Sequence, residues 1–140
     1  MHVDRVRESV PTHTRYDHAA RLAVLEARGE VSPQEAVEQF RAVCAELADL
    51  HARDPQHQYG VLVDTRGSAT VPTPENIFHL LREMTAIPAS RRPCRWAIVA
   101  TAPAQYGMGR LFQAHAEDRQ IEIQVFKLHD EALAWLSADR

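Results

Sequence analysis

The segment YGVLVDTRGSATVPTPEN, residues 59–76, joins a short apolar strand to the start of a helix. Tyr59–Val63 is almost entirely apolar, as expected for a strand in a sheet that is covered on both faces. Asp64 ends this strand, and small or turn-forming residues follow it. Thr73 can cap the next helix, and Pro74 suits its first position. In α/β proteins such a junction is where anions and ligands are bound, so this segment is the first candidate site.

Patterns of apolar residues on either side predict further strands and helices. His13–Tyr16 and Arg21–Glu30 read as two strands of a β-hairpin, joined by a turn at Asp17–Ala20. The other strands are predicted at 59–63, 95–101 and 121–126, and the helices begin at Ser32, Thr73, Pro103 and Asp130. The order ββαβαβαβα requires helical crossovers between parallel strands. The predicted fold is therefore α/β, with a mixed, mostly parallel five-stranded sheet, an N-terminal β-hairpin and four helices.

The composition is that of an ordinary globular chain. The protein has 140 residues, a formal net charge of −3, 45% hydrophobic residues and 25% charged residues. This length suits one domain, which we predict over residues 12–138 after a flexible leader at 1–11. The net charge argues against nucleic-acid binding, and no apolar run approaches the ~18 residues that a membrane span needs. With no signal peptide and no disulfide pattern, we expect a cytoplasmic location.

The sequence carries no visible catalytic or metal-binding motif. Its eight histidines are dispersed, and no pair has the helical spacing of metal ligands beside an acid. Cys44 and Cys94 are far apart, and Cys44 falls on the apolar face of a predicted helix, which indicates a buried thiol. We therefore predict no metal, no cofactor and no enzymatic activity.

Five segments carry a resemblance to a known family. They are ARGEVSPQEAVEQF (27–40), GVLVDTRG (60–67), RWAIVA (95–100), APAQYGMGRLFQAHAED (102–118) and VFKLHDEALAWL (125–136). The most specific pieces are APAQYGMGRLFQAHAED and, within the last segment, DEALAWL. These segments resemble the STAS domain, and in particular its SpoIIAA-like branch, also described as STAS/SEC14 proteins. The resemblance extends from about Thr12 to Leu136. It implies a non-catalytic regulatory or ligand-binding domain of the STAS type.

The resemblance also implies how such a domain is regulated. In anti-sigma factor antagonists of this family, a partner kinase phosphorylates a serine at the junction after the third strand. In this sequence TRG, residues 65–67, follows Asp64, and the later hydroxyls of Ser68, Thr70 and Thr73 do not stand in the matching context. We therefore expect no phosphoswitch in this loop. The SEC14-type resemblance implies an apolar small ligand or lipid instead.

A second candidate segment is the helix start YGMGR, Tyr106–Arg110, which carries two glycines. Each glycine costs roughly 1 kcal/mol relative to alanine inside a helix, so a compensating reason is expected. One interpretation is a close approach of the helix to the sheet, or to a second subunit in a homodimer. The other is a shallow pocket beside Tyr106, Met108 and Phe112, in which Arg110 meets an acidic group of a flat apolar ligand. The predicted apolar face of this helix is Ala104, Met108, Leu111, Phe112 and His115.

The two candidate segments are predicted to meet. Val61–Asp64 and Trp96–Thr101 read as neighbouring parallel strands, so the loops that follow them should open on the same edge of the sheet. The loop after Asp64 and the YGMGR helix would then be two walls of a shallow cleft. The candidate ligand- or partner-binding residues are Asp64, Arg66, Ser68, Thr73, Tyr106, Met108, Gly109, Arg110 and Phe112.

These residues support three functional hypotheses. We favour a non-catalytic regulatory module that docks a protein partner through the loop after the third strand and through the second helix. The alternative is a carrier or sensor of a small apolar or acidic ligand. A small enzyme is the least favoured hypothesis, because no nucleophile stands beside a base in the sequence.

Overall fold

The computed structural model describes residues 12–56, 58–88 and 95–138. Within these ranges, five strands and four helices follow one another in the predicted order. The strands are β1 (Thr12–Asp17), β2 (Leu22–Ala27), β3 (Gly60–Asp64), β4 (Trp96–Val99) and β5 (Ile123–Phe126). The helices are α1 (Pro33–Arg53), α2 (Pro74–Thr85), α3 (Pro103–Glu117) and α4 (His129–Ser137). The predicted leader at 1–11 lies outside the described residues.

The strands form one sheet in the order β1-β2-β3-β4-β5. β1 and β2 pair antiparallel, and the three other pairings are parallel. Each parallel pairing is connected through one helix, as the length of a crossover requires. The predicted α/β fold with a mixed, mostly parallel sheet is therefore confirmed.

The N-terminal hairpin is also confirmed, although its second strand is shorter than predicted. In the turn, the Asp17 carboxylate accepts a hydrogen bond from the amide of Ala20, and Arg21 adopts a φ of 54°. The second strand was expected to continue to Glu30. It ends earlier because Gly29 adopts a left-handed φ of 63°, which turns the chain out of the strand.

Side-chain caps fix the points at which α1 and α2 begin. The Ser32 hydroxyl accepts a hydrogen bond from the Glu35 amide, and the Glu35 carboxylate accepts one from the Ser32 amide. Thr73 and Asn76 form the equivalent reciprocal pair at α2. A proline follows each capping residue, at the first helical position. Each cap contributes about 1 kcal/mol to its helix start, and both starts were predicted from these residues.

The starts of α3 and α4 have no side-chain cap. The prediction that Asp130 caps α4 is wrong, because Leu128 occupies the N-cap position. Asp130 lies in the first turn of α4 instead, where a negative charge is favourable beside the positive end of the helix dipole.

The buried face of α3 is rotated by one residue from the predicted face. Ala104, which was placed on the apolar face, is exposed, and Met108 is only half-buried. The fully buried residues are Gln105, Gly109 and Ala116. The helix therefore turns a glutamine and a glycine towards the interior, rather than its larger apolar side chains.

Helices cover both faces of the sheet, which explains why the central strands are almost wholly apolar. α1, α2 and α3 pack on one face in a core that includes Phe40, Leu81 and Trp96. α4 packs on the other face, where Leu62 and Leu136 belong to a smaller core. Among the described helices, none combines the length and the hydrophobicity that crossing a membrane demands.

Cys44 is buried in the larger core, as its place on α1 predicted. Burial raises the pKa of its thiol to about 12, so the thiol stays protonated at neutral pH. A protonated thiol is a poor nucleophile and a poor metal ligand, which is typical of a structural cysteine. Cys94 lies outside the described residues.

Candidate functional site

β3 and β4 end side by side, and the loops that follow them meet at the carboxyl edge of the sheet. Asp64 is paired with Val99 at the ends of the two strands. The Thr65 amide donates to the carbonyl of Val99 over 3.0 Å, so the first loop starts against β4. From α3, Gln105 reaches the carbonyl of Ser68 at 2.8 Å. The prediction that the two segments lie together at this edge is therefore confirmed.

The β3–α2 loop, residues 65–73, is held in place by the loop between β2 and α1. The Gly29 amide donates to the carbonyl of Gly67 over 2.8 Å, and the Ala69 amide donates to the carbonyl of Gly29 over 2.7 Å. Glycine suits position 29, because it adopts the left-handed φ of 63° without the steric cost that a side chain brings. These two hydrogen bonds hold the backbone of the β3–α2 loop against the β2–α1 loop, in the way that strands of a sheet are paired.

The hydroxyl groups of the β3–α2 loop are used within the structure. The Ser68 hydroxyl accepts from the Thr70 amide at 3.1 Å and donates to the Thr70 carbonyl at 3.2 Å. The Thr70 hydroxyl accepts from the amide of Val31 at 2.9 Å. The Thr73 hydroxyl caps α2 by accepting from the Asn76 amide at 3.1 Å. Each hydroxyl therefore stabilises the loop or the helix start.

Gln105 supports the loop from α3, and sequence reasoning missed it. It is the only buried polar residue in the described ranges, with 7% of its surface exposed. Its Nε2 donates to the carbonyls of Ser68 at 2.8 Å and Thr70 at 3.4 Å. Its Oε1 lies 3.5 Å from the Thr65 hydroxyl, but that hydroxyl has one hydrogen and donates it to Val99 over 2.8 Å. Oε1 therefore makes a longer contact than Nε2 does.

A cleft of about 600 Å³ opens beside this loop, between α1, α2 and α3. Its floor consists of Ala27, Val63 and Ile98, which belong to three adjacent strands. Its helical walls include Val37 of α1, Leu80 of α2 and Phe112 of α3, which are all half-buried. Cavities of a few hundred cubic ångströms with mostly apolar walls are typical binding sites for small molecules.

Strand alternation decides which residues of the opening segment face the cleft. Val63 and Thr65 line it, whereas Asp64 between them points to the opposite face of the sheet. Ser68 and Thr70 continue the lining along the loop. The period of two along β3 was the signal in the sequence that separates these residues from Asp64.

The structure brings three of the nine predicted binding residues into the cleft. These three are Ser68, Gly109 and Phe112. The six that do not line it are Asp64, Arg66, Thr73, Tyr106, Met108 and Arg110. The second wall is therefore formed by the buried side of α3, with Gln105 four residues before Gly109 on the same helical face.

Gly109 allows α3 to pack closely on the sheet. A Cβ atom at this position would lie 2.6 Å from Cγ2 of Val125 in β5, which is far inside contact distance. Gly107 differs, because no atom lies within 4 Å of a Cβ built there. Of the two interpretations of the YGMGR segment, the close approach of helix to sheet is confirmed at Gly109, which also borders the cleft.

Asp64 and Arg66 form a closed ion pair on the face of the sheet away from the cleft. Arg66 Nε and Nη2 donate to the two carboxylate oxygens over 2.9 and 2.7 Å, and the Arg66 amide donates to Oδ1 over 3.1 Å. The side-chain hydrogen bonds from Arg66 lower the pKa of Asp64, and its backbone hydrogen bond acts in the same direction. The pair therefore clamps the start of the β3–α2 loop.

Charged residues of both signs surround the cleft. Arg41 of α1 donates to both carboxylate oxygens of Glu83 in α2, over 2.8 and 3.0 Å, and so joins two walls. Of the lysine, arginine, aspartate and glutamate side chains that line the cleft, Glu38 and Glu75 are negative, and Arg41 and Arg82 are positive. The charges of these four residues cancel.

The carboxyl edge also exposes apolar side chains. Val71 in the β3–α2 loop is 42% exposed, and Leu128, two residues after the end of β5, is 59% exposed. They are the two large hydrophobic residues that are exposed in the described ranges. Nearby, the Lys127 ammonium lies 4.9 Å from the ring centroid of Tyr106. We call Val71, Tyr106, Lys127 and Leu128 the carboxyl-edge surface.

The histidines in the described residues do not gather into a metal site. His115 lies on α3 and packs edge-on against Phe78, with ring centroids 4.8 Å apart. Across ranges 12–56, 58–88 and 95–138, no three potential ligands from histidine, cysteine, aspartate and glutamate come together.

Comparison with known proteins gives likenesses of structure. No protein family model and no curated protein sequence matches this chain. An anti-sigma factor antagonist from Mycobacterium paratuberculosis matches with a TM-score of 0.55 and 14% identity, over 93% of this chain and 97% of its own. An uncharacterized protein of the DUF3478 family from Shewanella loihica, with a SpoIIAA-like fold, matches with a TM-score of 0.55 and 14% identity, over 89% of this chain and 91% of its own.

These likenesses show that the chain has the SpoIIAA-like, STAS-type fold. The resemblance noted in the sequence is thus confirmed at the level of the fold. At 14% identity a shared fold carries no residue roles, so function is argued from the carboxyl edge itself.

Proposed function

We propose that this protein is a non-catalytic regulatory module that docks a protein partner through the carboxyl-edge surface, the β3–α2 loop and α2. The observation that carries this proposal is the exposure of Val71 and Leu128 at one edge of the sheet. Single exposed hydrophobic residues are ordinary on protein surfaces. Here, however, both large ones in the described residues follow strands that end at the same edge of the sheet.

The fixed conformation of the β3–α2 loop supports docking. Gly29 and Gln105 hold its backbone by hydrogen bonds from two sides, while Val71 remains at the surface. A preformed loop loses little conformational entropy when a partner binds, so more of the contact energy appears as affinity. One protein of the same fold is named an anti-sigma factor antagonist, which suggests regulation through a protein partner.

We also propose that phosphorylation of the β3–α2 loop does not switch this docking. A phosphate on Ser68 would break its two hydrogen bonds to Thr70, and a phosphate on Thr73 would disturb the cap of α2. Phosphopeptide analysis of protein isolated from its own cells should find no stoichiometric phosphate on Ser68, Thr70 or Thr73. Stoichiometric phosphate on any of the three would contradict this part of the proposal.

The docking proposal is tested by quantitative affinity capture from the cells that produce the protein. Val71→Glu and Leu128→Glu place a carboxylate where the partner would bury an apolar group, so we expect at least tenfold less partner on each variant. Ala45→Glu, on an exposed position of α1, is the control and should retain the partner. A partner that binds all four proteins equally, or no partner on any of them, would contradict the proposal.

A further inference from the structure

We infer that the ion pair between Arg41 of α1 and Glu83 of α2 is a strap across the cleft, which acid loosens because His79 competes with Arg41 for Glu83. Loosening of the strap lets α1 and α2 move apart and widens the cleft between them. The inference concerns the movement of these two helices, so it depends neither on a ligand in the cleft nor on the proposed partner.

The strap joins the two helices far from their capped starts. Arg41 and Glu83 lie about 12 to 14 Å along their helices from those starts, which stand beside the β3–α2 loop. Arg41 Nε and Nη2 donate to the two carboxylate oxygens of Glu83 over 2.8 and 3.0 Å. The Arg41 side chain is 60% exposed, so water screens the pair and its net contribution is small. A strap of this kind is well defined in geometry but is easily opened.

His79 is a second partner for Glu83, which the closed strap leaves unused. It lies four residues before Glu83 on α2, and its Nε2 is 3.7 Å from Glu83 Oε2, too far for a hydrogen bond. Among the described residues, this buried nitrogen has no hydrogen-bond partner. A buried polar atom without a partner is costly, so His79 gains a hydrogen bond when the Glu83 carboxylate turns to it. Glu83 therefore has two alternative partners, one on each helix.

The charges around His79 decide the direction in which pH acts. The charged and titratable groups on the helices around it are Glu38, Arg41 and Cys44 of α1, Glu75, Arg82 and Glu83 of α2, and His115 of α3. The strand residues that line the cleft are uncharged. In the closed strap, Arg41 neutralises Glu83 and its hydrogen bonds lower the pKa of that carboxyl, so Glu83 stays ionised in mild acid.

Opening of the strap frees the Glu83 carboxylate to stabilise a protonated His79. The proton is therefore bound more tightly in the open state than in the closed state, and by linkage protons favour opening. Imidazole side chains take up their proton as the pH falls through about 6 to 7, so the open state should gain population in this range.

Cys44 provides a built-in reporter of this opening. It lies three residues after Arg41 on the same side of α1, and its thiol is buried. Burial, and after it the Glu83 carboxylate, raises the pKa of the Cys44 thiol, so the thiol lies within electrostatic reach of the strap. Cys94→Ser serves as the background and leaves Cys44 as the one thiol of the chain. The rate of its alkylation by N-ethylmaleimide then follows the open population when the strap closes faster than the reagent reacts.

Removal of either partner of the strap should speed alkylation of Cys44. Glu83→Gln, Arg41→Gln and the double variant should each react roughly two- to fivefold faster, the range that a solvent-screened ion pair allows, because all three remove the same interaction. A direct electrostatic effect on the thiol would instead act in opposite directions in the two single variants, because they remove opposite charges. Asp49→Asn, on an exposed position of α1 outside the cleft, is the control and should leave the rate unchanged. Opposite or additive effects, or no effect of either single variant, would overturn the inference.

The role of His79 is tested by the ratio of the alkylation rate of the background protein to that of its His79→Gln variant. This ratio cancels the change in thiolate fraction with pH, and it should rise at least about twofold between pH 8 and pH 5.5. The ratio to Glu83→Gln should rise in the same way, which decides the question if His79→Gln does not fold. A ratio that stays flat or falls in acid would overturn the inference. So would alkylation that depends on urea with the full slope of global unfolding, because Cys44 would then react only from the unfolded chain.

Discussion

Gly109 sets the distance between α3 and the sheet. The Val125 side chain occupies the space that a Cβ at position 109 would need, at 2.6 Å, and a β-branched side chain in a strand has little freedom to move away. Gly107, two residues earlier on the same helix, faces open space. The two glycines look alike in the sequence but differ completely in what they contact.

This difference predicts opposite effects of the same substitution. Gly109→Ala should lower the free energy of unfolding by about 1–3 kcal/mol, because the added methyl group overpacks the helix against β5. Gly107→Ala should raise it by roughly 0.5–1 kcal/mol, because alanine is the better helix former and meets no atom. Urea unfolding of both variants measures the two changes, and a similar loss in each would show that close packing does not explain Gly109.

At the same scale, the ion pair of Asp64 predicts how the stability of the protein depends on pH. Hydrogen bonds from Arg66 lower its pKa in the folded protein from the ordinary value of 3.8, so its contribution to stability is present above that value. The contribution is lost as the pH falls through the lower folded pKa. Asp64→Asn should therefore cost at most about 1 kcal/mol at pH 7, as for solvent-screened ion pairs, and the cost should shrink in acid.

Urea unfolding of the Asp64→Asn variant and the unaltered protein at a series of pH values measures this difference. Asp49→Asn, on an exposed position of α1, is the matched control and should change the unfolding midpoint little. A cost at Asp64 that stays constant, or grows as the solution becomes more acidic, would contradict the assigned role of the ion pair.

The element that matters most at the carboxyl edge is the β3–α2 loop, which has no regular structure of its own. Hydrogen bonds from neighbouring elements replace regular structure: backbone bonds to Gly29 on one side and side-chain bonds from Gln105 on the other. Loss of either support should let the loop open while the sheet remains intact, because the core of the sheet lies elsewhere.

Gln105→Leu tests the support from α3. The variant removes the donor to Ser68 and Thr70, so the amide of Ala69 should exchange its hydrogen roughly fivefold faster, as loss of about 1 kcal/mol predicts. Gln113→Leu is the matched control, because Gln113 lies on the same helix but accepts its hydrogen bond from Val125 in β5. Hydrogen exchange followed by NMR reports both. Unchanged exchange at Ala69 in the Gln105 variant would show that α3 does not support the loop.

At the scale of the whole molecule, hydrophobic periodicity predicts the order of strands and helices. The helical crossovers then predict that most of the strands pair in parallel. The caps at Ser32 and Thr73 and the apolar runs of β3 and β4 were sufficient for this, since local residue patterns determine each of these features. Because β3 and β4 pair in parallel, the two candidate segments that follow them could also be predicted to lie at the same edge of the sheet.

The detailed composition of the cleft did not follow from local patterns. The hydrogen-bond partners of Gln105 are loop carbonyls more than thirty residues away in the chain, and no short-range pattern encodes such contacts. The rotation of α3 depends on how closely Gly109 approaches β5, which requires the packed structure. Asp64 was placed in the site because it ends a strand, although the alternation along β3 turns it to the other face.

Central to this account is the claim that the protein binds its partner at the carboxyl edge. Photo-crosslinking in the cells that produce the protein tests it most directly, with benzoylphenylalanine placed at position 71, 128 or 45 in turn. We expect one partner of the same mass to be crosslinked from positions 71 and 128, which are exposed at this edge, and none from position 45, which is exposed on α1. Crosslinking of the partner from position 45 alone, or equally from all three positions, would contradict the account.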